Sequence, residues 1–165
     1  MLCTQSIVSL LSPALPIMSR RTAVALAIAM SLLGACSLIT DASTSELAAA
    51  RLRWTANGAA SYDFTVYVSC ECLYRPVIVV VANGVVRSRK YADTGADVAP
   101  TYVISAYSTI EGLFDFVESV HAKNPAQLDV TYDPVRGFPT IISIDYNAKA
   151  VDDEIVYSIR DFHLR

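Results

Sequence analysis

The chain has 165 residues, 53% of them apolar and 18% charged, and its mean hydropathy is +0.40. Apolarity at that level excludes a disordered chain, and six glycines exclude a collagen-like repeat. A net charge of -3 leaves no surplus of cations for displacing phosphate counterions, which excludes a nucleic-acid binder of the ordinary kind, and the length suits one domain.

Arg20 and Arg21 stand directly before a nearly unbroken apolar run, Ala23 to Leu33, inside a stretch without charge from Thr22 to Thr40. A membrane-spanning helix needs roughly 20 apolar residues, whereas the apolar segment of a secretory signal needs only about 7 to 15. The run therefore reads as a signal peptide. Leu33-Gly34-Ala35-Cys36 follows and resembles a bacterial lipobox: an aliphatic residue, two small residues, then the cysteine whose sulfur receives diacylglycerol. The expectation is a signal over residues 1–35, a lipidated Cys36 carrying palmitate-type acyl chains, a tether over 36–45 and a single domain over 46–165. An ordinary secretory leader with an incidental cysteine is the alternative. Met18 begins a compact Met-Ser-Arg-Arg start, so residues 1–17 read as lying upstream of the true initiation site. Removing 1–35 leaves 11 basic against 16 acidic side chains, a net charge of -5.

Ser43 with Glu46 fits a capping box, so a helix is predicted from Ser43 to Asn57, with Leu47, Ala50 and Trp54 on one face. The period then changes to two. From Tyr62 to Cys72 the even positions are mostly apolar, which predicts a half-buried strand with Cys70 and Cys72 on its apolar side. After Pro76, Val77 to Val81 reads as a second strand, Asn83-Gly84 as a two-residue hairpin turn and Val85 to Arg87 as a third strand. Residues 93–100 read as a loop.

A second capping box, Ser108 with Glu111, opens a predicted helix whose apolar face is Ile110, Leu113, Phe114, Val117 and Val120. His121 falls in its last turn, where a cation suits the helix dipole. Alternation then predicts strands at Leu128 to Tyr132, Ile142 to Tyr146 and Ile155 to Ile159. The order αβββαβββ, without βαβ units, argues for an α+β fold on an antiparallel sheet with two helices on one face. One helix with a longer meander is the alternative.

Cys3 leaves with the leader and Cys36 is lipidated, so Cys70 and Cys72 are the remaining thiols in an oxidising compartment, where disulfides form. Residues i and i+2 of a strand lie roughly 6.5 Å apart at Cα, so this pair closes only across a kink. Two reduced buried cysteines, or a redox or metal role, are the alternatives. The only histidines, His121 and His163, lack metal spacing to the pair, and no metal is expected.

Tyr132-Asp133-Pro134-Val135-Arg136-Gly137-Phe138-Pro139 reads as a strand-joining turn. Its sharper reading is a recognition loop presenting Tyr132, Asp133, Arg136, Gly137 and Phe138. Asp145, Asp152, Asp153 and Glu154 read as a solvated acidic turn. No nucleophile elbow, zinc helix motif or phosphate-binding loop is present, so neither an enzyme nor a cofactor is expected.

The lipobox, Trp54, Tyr62-Asp63-Phe64, Cys70-Glu71-Cys72, Asn83-Gly84, Leu113-Phe114, the Tyr132 to Pro139 segment, Ile144-Asp145-Tyr146 and Asp152-Asp153-Glu154 together resemble a family of bacterial lipoproteins catalogued as a domain of unknown function. The resemblance spans roughly Trp54 to Phe162. It implies export, an α+β domain and a part for those turns, and it carries no catalytic residue. The expected function is a lipid-anchored cell-envelope protein whose domain binds an envelope protein or glycan, or serves structurally, without contacting nucleic acid. A thiol-redox or metal-binding envelope protein using Cys70 and Cys72 is the alternative. In a Gram-negative host, Ser37 after the cysteine directs the protein to the outer membrane.

Overall fold

The computed structural model describes residues 42–70 and 74–165. The predicted signal, Cys36, most of the tether and Cys72 lie outside the described residues. Helix α1 (Ala42–Asn57) buries Leu47, Ala50 and Trp54, the spacing of three and four that lines up side chains on one helical face. Gly58 ends it, donating its N–H to the Trp54 carbonyl at 2.7 Å.

Strand β1 (Tyr62–Ser69) carries Tyr62, Phe64 and Val66 on its covered face, all without solvent exposure. It stops before the predicted end at Cys72. Its ladder with β2 (Val77–Ala82) starts at Val66 opposite Val77, just after Pro76, and its ladder with the last strand ends at Ser69 opposite Val156. Among the described residues no ladder pair lies beyond these, and Cys70 falls in a bend.

Asn83 and Gly84 connect β2 to β3 (Val85–Tyr91), with φ of 52° and 70°. Two consecutive positive φ angles match the right-handed twist of a hairpin, which is why Asn-Gly suits the position. Strand β3 runs four residues beyond the predicted Arg87. Its Arg87, Ser88, Arg89 and Lys90 hid it from a hydrophobic pattern, because an edge strand tolerates polar side chains.

A short 3-10 turn (Pro100–Tyr102) precedes helix α2 (Ile110–His121), which buries the five residues of its predicted face. The cap is Thr109, one residue after the predicted Ser108. Its hydroxyl accepts the Gly112 N–H at 3.1 Å, while the Glu111 carboxylate turns to α1.

The remaining strands are β4 (Gln127–Tyr132), β5 (Pro139–Asp145) and β6 (Ile155–Leu164). All six strands form one antiparallel sheet, in the order β3-β2-β1-β6-β5-β4. This is the expected αβββαβββ architecture. Each half supplies three contiguous strands, and β1 meets β6 at the centre. Both helices contribute to one hydrophobic core over one face of the sheet.

Strand β6 runs five residues past the predicted Ile159 because of a bulge. Arg160 pairs with Thr65 but His163 pairs with Asp63, so β6 holds one extra residue there, and Asp161 takes φ 52°. The extra residue resets the alternation. Phe162 thereby returns to the covered face, stacked on Phe138 at 4.6 Å and on Tyr62 at 5.4 Å between ring centroids. Among the described residues no helix is long and apolar enough to cross a membrane.

Candidate functional site

The Tyr132 to Pro139 turn is held from within. The Asp133 carboxylate oxygen Oδ1 accepts the N–H groups of Val135 at 3.0 Å and Arg136 at 2.6 Å. The Asp133 N–H donates to the Phe138 carbonyl at 2.8 Å, and the Gly137 N–H donates to the Asp133 carbonyl at 2.9 Å. Gly137 has φ +85°, and a side chain on it would overlap the Ala50 carbonyl of α1 and lie 2.8 Å from Arg53 Cβ. Glycine is required here both by conformation and by the close approach to the helix.

The five residues of the predicted recognition loop therefore divide. Phe138 is 6% exposed and joins a ring cluster with Trp54 and Phe162. Gly137 is the contact with α1, and Asp133 is occupied by its own turn. Tyr132 is half-buried, stacks on Phe114 at 6.2 Å, and has its phenol pushed up to about 12 by burial, with the Glu46 charge adding to the effect. Arg136 lies over the Phe162 ring at 5.8 Å. Its Nε and that of Arg53 are buried without a hydrogen-bond partner. The outer surface of the loop is Pro134 and Val135.

Where the last turns of α1 meet the start of α2, a polar knot joins α1, α2 and β1. The Trp54 indole N–H donates to Glu111 Oε1 at 2.8 Å, and the Tyr62 hydroxyl donates to Oε2 at 3.4 Å. That hydroxyl also accepts the Ile110 N–H at 2.8 Å. Burial raises the Tyr62 phenol well above its ordinary value, and the neighbouring Glu111 carboxylate raises it further. The knot floors an open groove of about 540 Å³. Arg51 on its wall is bound to Asp115 at 3.0 Å and Glu118 at 3.3 Å. Glu111 was legible only as a capping residue, because its partners lie 49 and 57 positions away in sequence.

A narrower cleft of about 380 Å³ lies between the first turns of α1, the end of α2 and strand β4. Leu47, Val117, Leu128 and Val130 give it an apolar lining, and Glu46, Asp129 and His121 supply its charged and polar groups. His121 Nε2 lies 3.0 Å from Thr44 Oγ1 and 3.5 Å from Ser43 Oγ. The histidine expected to answer the dipole of its own helix thus also ties the end of α2 to the start of α1. The alternation in β4 marked Leu128, Val130 and Tyr132 as one face, but nothing local signalled that α1 would leave a gap above it.

Cys70 is half-buried in the bend after β1, and Cys72 lies outside the described residues. Among the described residues no group of three His, Cys, Asp or Glu side chains is placed to hold a metal ion. In the acidic turn Asp152 and Glu154 are exposed, whereas Asp153 is half-buried with its Oδ1 unpartnered. Asp145 Oδ1 accepts the Asn147 N–H at 2.8 Å and shapes the start of the turn.

No curated protein and no solved structure matches the chain. One family profile does, over residues 46–164, from the first turns of α1 to the penultimate residue of the chain. The matched span takes in the cleft, the polar knot and the Tyr132 to Pro139 turn, and the chain belongs to this family, a family of unknown function (DUF6174).

Proposed function

We propose that the protein is a lipid-anchored component of the bacterial cell envelope whose α+β domain is a binding module for another envelope component. The observation that carries the reading is the spacing of two features in the sequence. The lipobox cysteine, Cys36, stands six residues ahead of Ala42, where α1 begins, and ten ahead of the family domain. A diacylglyceryl group with a second, amide-linked chain supplies the two hydrophobic signals that stable anchoring takes. The short tether then keeps the domain attached at the membrane surface. In a Gram-negative host the membrane is the outer one.

Within this reading, Cys70 and Cys72 form a disulfide in the exported protein. The strand ends at Ser69 and the backbone bends at Cys70, which is the kink such a close pair needs. Intact mass under native and reducing conditions tests the bond, which adds two protons' mass when reduced.

Replacement of Cys36 by Ala tests the anchor. Expected are loss of acyl labelling and release of the folded domain from membranes. Unchanged membrane retention would overturn the assignment.

A further inference from the structure

The sheet has two edges, and the fold treats them differently. Edge strand β3 is covered by the segment that follows it. The Tyr91 N–H donates to the Ala96 carbonyl at 2.9 Å, the Val98 N–H donates to the Arg89 carbonyl at 2.9 Å, and Lys90 pairs with Asp97 both as a bridge and as a 2.8 Å ion pair. Arg87, Arg89 and Lys90 add the positive charge with which edge strands deter further pairing. Edge strand β4 has none of this. It pairs with β5 on one side, and among the described residues no strand pairs with the other. Directly above it lies the 380 Å³ cleft, large enough for apolar side chains, lined by Leu47, Val117, Leu128 and Val130.

We infer that β4 and this cleft form a strand-addition site for an extended segment of a partner protein, one that alternates apolar and basic residues. Backbone hydrogen bonds to the outer edge of β4 would make the segment a seventh strand, and alternate side chains would enter the cleft. The choice of occupant rests on charge. Glu46 and Asp129, both exposed, line the cleft, and His121 is already engaged with Thr44 and Ser43. Arg51 of α1 is bound to Asp115 and Glu118. Arg53 does not line the cleft. A second copy of this acidic chain would set Glu46 and Asp129 against their own counterparts, whereas a segment whose apolar residues join Leu128 and Val130 in the cleft turns its alternate lysines or arginines to the Asp129 face, where they neutralise that carboxylate beside its Gln127 donor, and Glu46 on the α1 side adds to the attraction. The inference rests on the binding-module reading and supplies the class of its partner.

The probe is a synthetic peptide of alternating lysine and valine, added to the full chain in detergent while backbone amide exchange is followed. The expected result is slowed exchange across residues 127–132, absent with a peptide of alternating glutamate and valine. Glu46→Lys, a change at an exposed helical position, should weaken binding by about fivefold. Val130→Asp should abolish it, with the far-ultraviolet spectrum confirming the fold. Protection elsewhere on the sheet, equal binding of the acidic peptide, or a self-associated dimer that occupies β4 would each overturn the inference. Acyl labelling of Cys36 in the same preparation separates the two readings: an acylated protein that ignores the peptide rejects the β4 site and leaves the anchor standing.

Discussion

Trp54 and Glu111 meet across the two helices, the indole N–H donating to the carboxylate at 2.8 Å while the Tyr62 hydroxyl reaches the same carboxylate from below. One acidic side chain in the first turn of α2 thus fixes the distance between both helices and the first strand. Glu111→Ala leaves the indole donor without its acceptor and should cost about 1 to 3 kcal/mol, read as a lowered urea midpoint. Glu111→Gln keeps an acceptor oxygen and should cost less. Trp54, the single tryptophan, reports the transition by its fluorescence. Equal losses for the two variants would contradict this geometry.

Gly84 and Gly137 both have positive φ, but only one is hemmed in. Nothing lies within 4 Å of a Cβ placed on Gly84, so Gly84→Ala should cost about 1 kcal/mol, the strain of the left-handed conformation alone. Gly137→Ala adds a collision with the Ala50 carbonyl, a backbone atom inside α1, and should cost more than about 3 kcal/mol. Chemical denaturation of the two variants side by side checks the ranking.

Asp161 occupies the left-handed position of the β6 bulge at φ 52°. Asp161→Gly relieves that conformation and should be neutral or stabilising by about 0.5 kcal/mol, although it removes a side chain. Asp161→Val should destabilise, since a β-branched residue resists positive φ. If valine were tolerated as well as glycine, the bulge would not sit where β1 and β6 place it.

Burial pushes the phenols of Tyr107, Tyr132 and Tyr157 up to about 12 from an ordinary value of 10.0. Between those values the unfolded chain has released protons that the folded chain still holds, so stability falls as pH rises through that window. Below pH 10 the contribution is fully present. A series of denaturation midpoints from pH 9 to 12 should show the decline, at roughly the span set by these shifts. Tyr157→Phe should make it shallower.

Much of the fold can be read from periodicity. Tyr62, Phe64 and Val66 alternate over the core, Val77, Val79 and Val81 do the same, and Ile110 to Val120 trace a helical stripe, so strand and helix identities follow from which side chains need burial. The misreadings share a cause: the deciding contact is distant in sequence. The end of β1 depends on where β2 and β6 cease to pair with it, and the reach of β6 depends on a bulge opposite Phe64. The polarity of β3 conceals a strand because its edge is covered by residues 96–98. For the site, the Asp133, Gly137 and Phe138 pattern announced a turn, and the turn is there. That its apolar residue packs inward against Trp54 and Phe162 could not be read from eight residues. The cleft above β4 was still less visible, because a gap between elements has no sequence of its own.

The proposed lipid anchor at Cys36 is tested most directly by the mass of the N-terminal peptide of the protein recovered from membranes. The lipobox reading predicts a mature chain beginning at Cys36, with its mass raised by one diacylglyceryl group and one amide-linked acyl chain. An N-terminus at any other residue, or a Cys36 peptide at its unmodified mass, would contradict it.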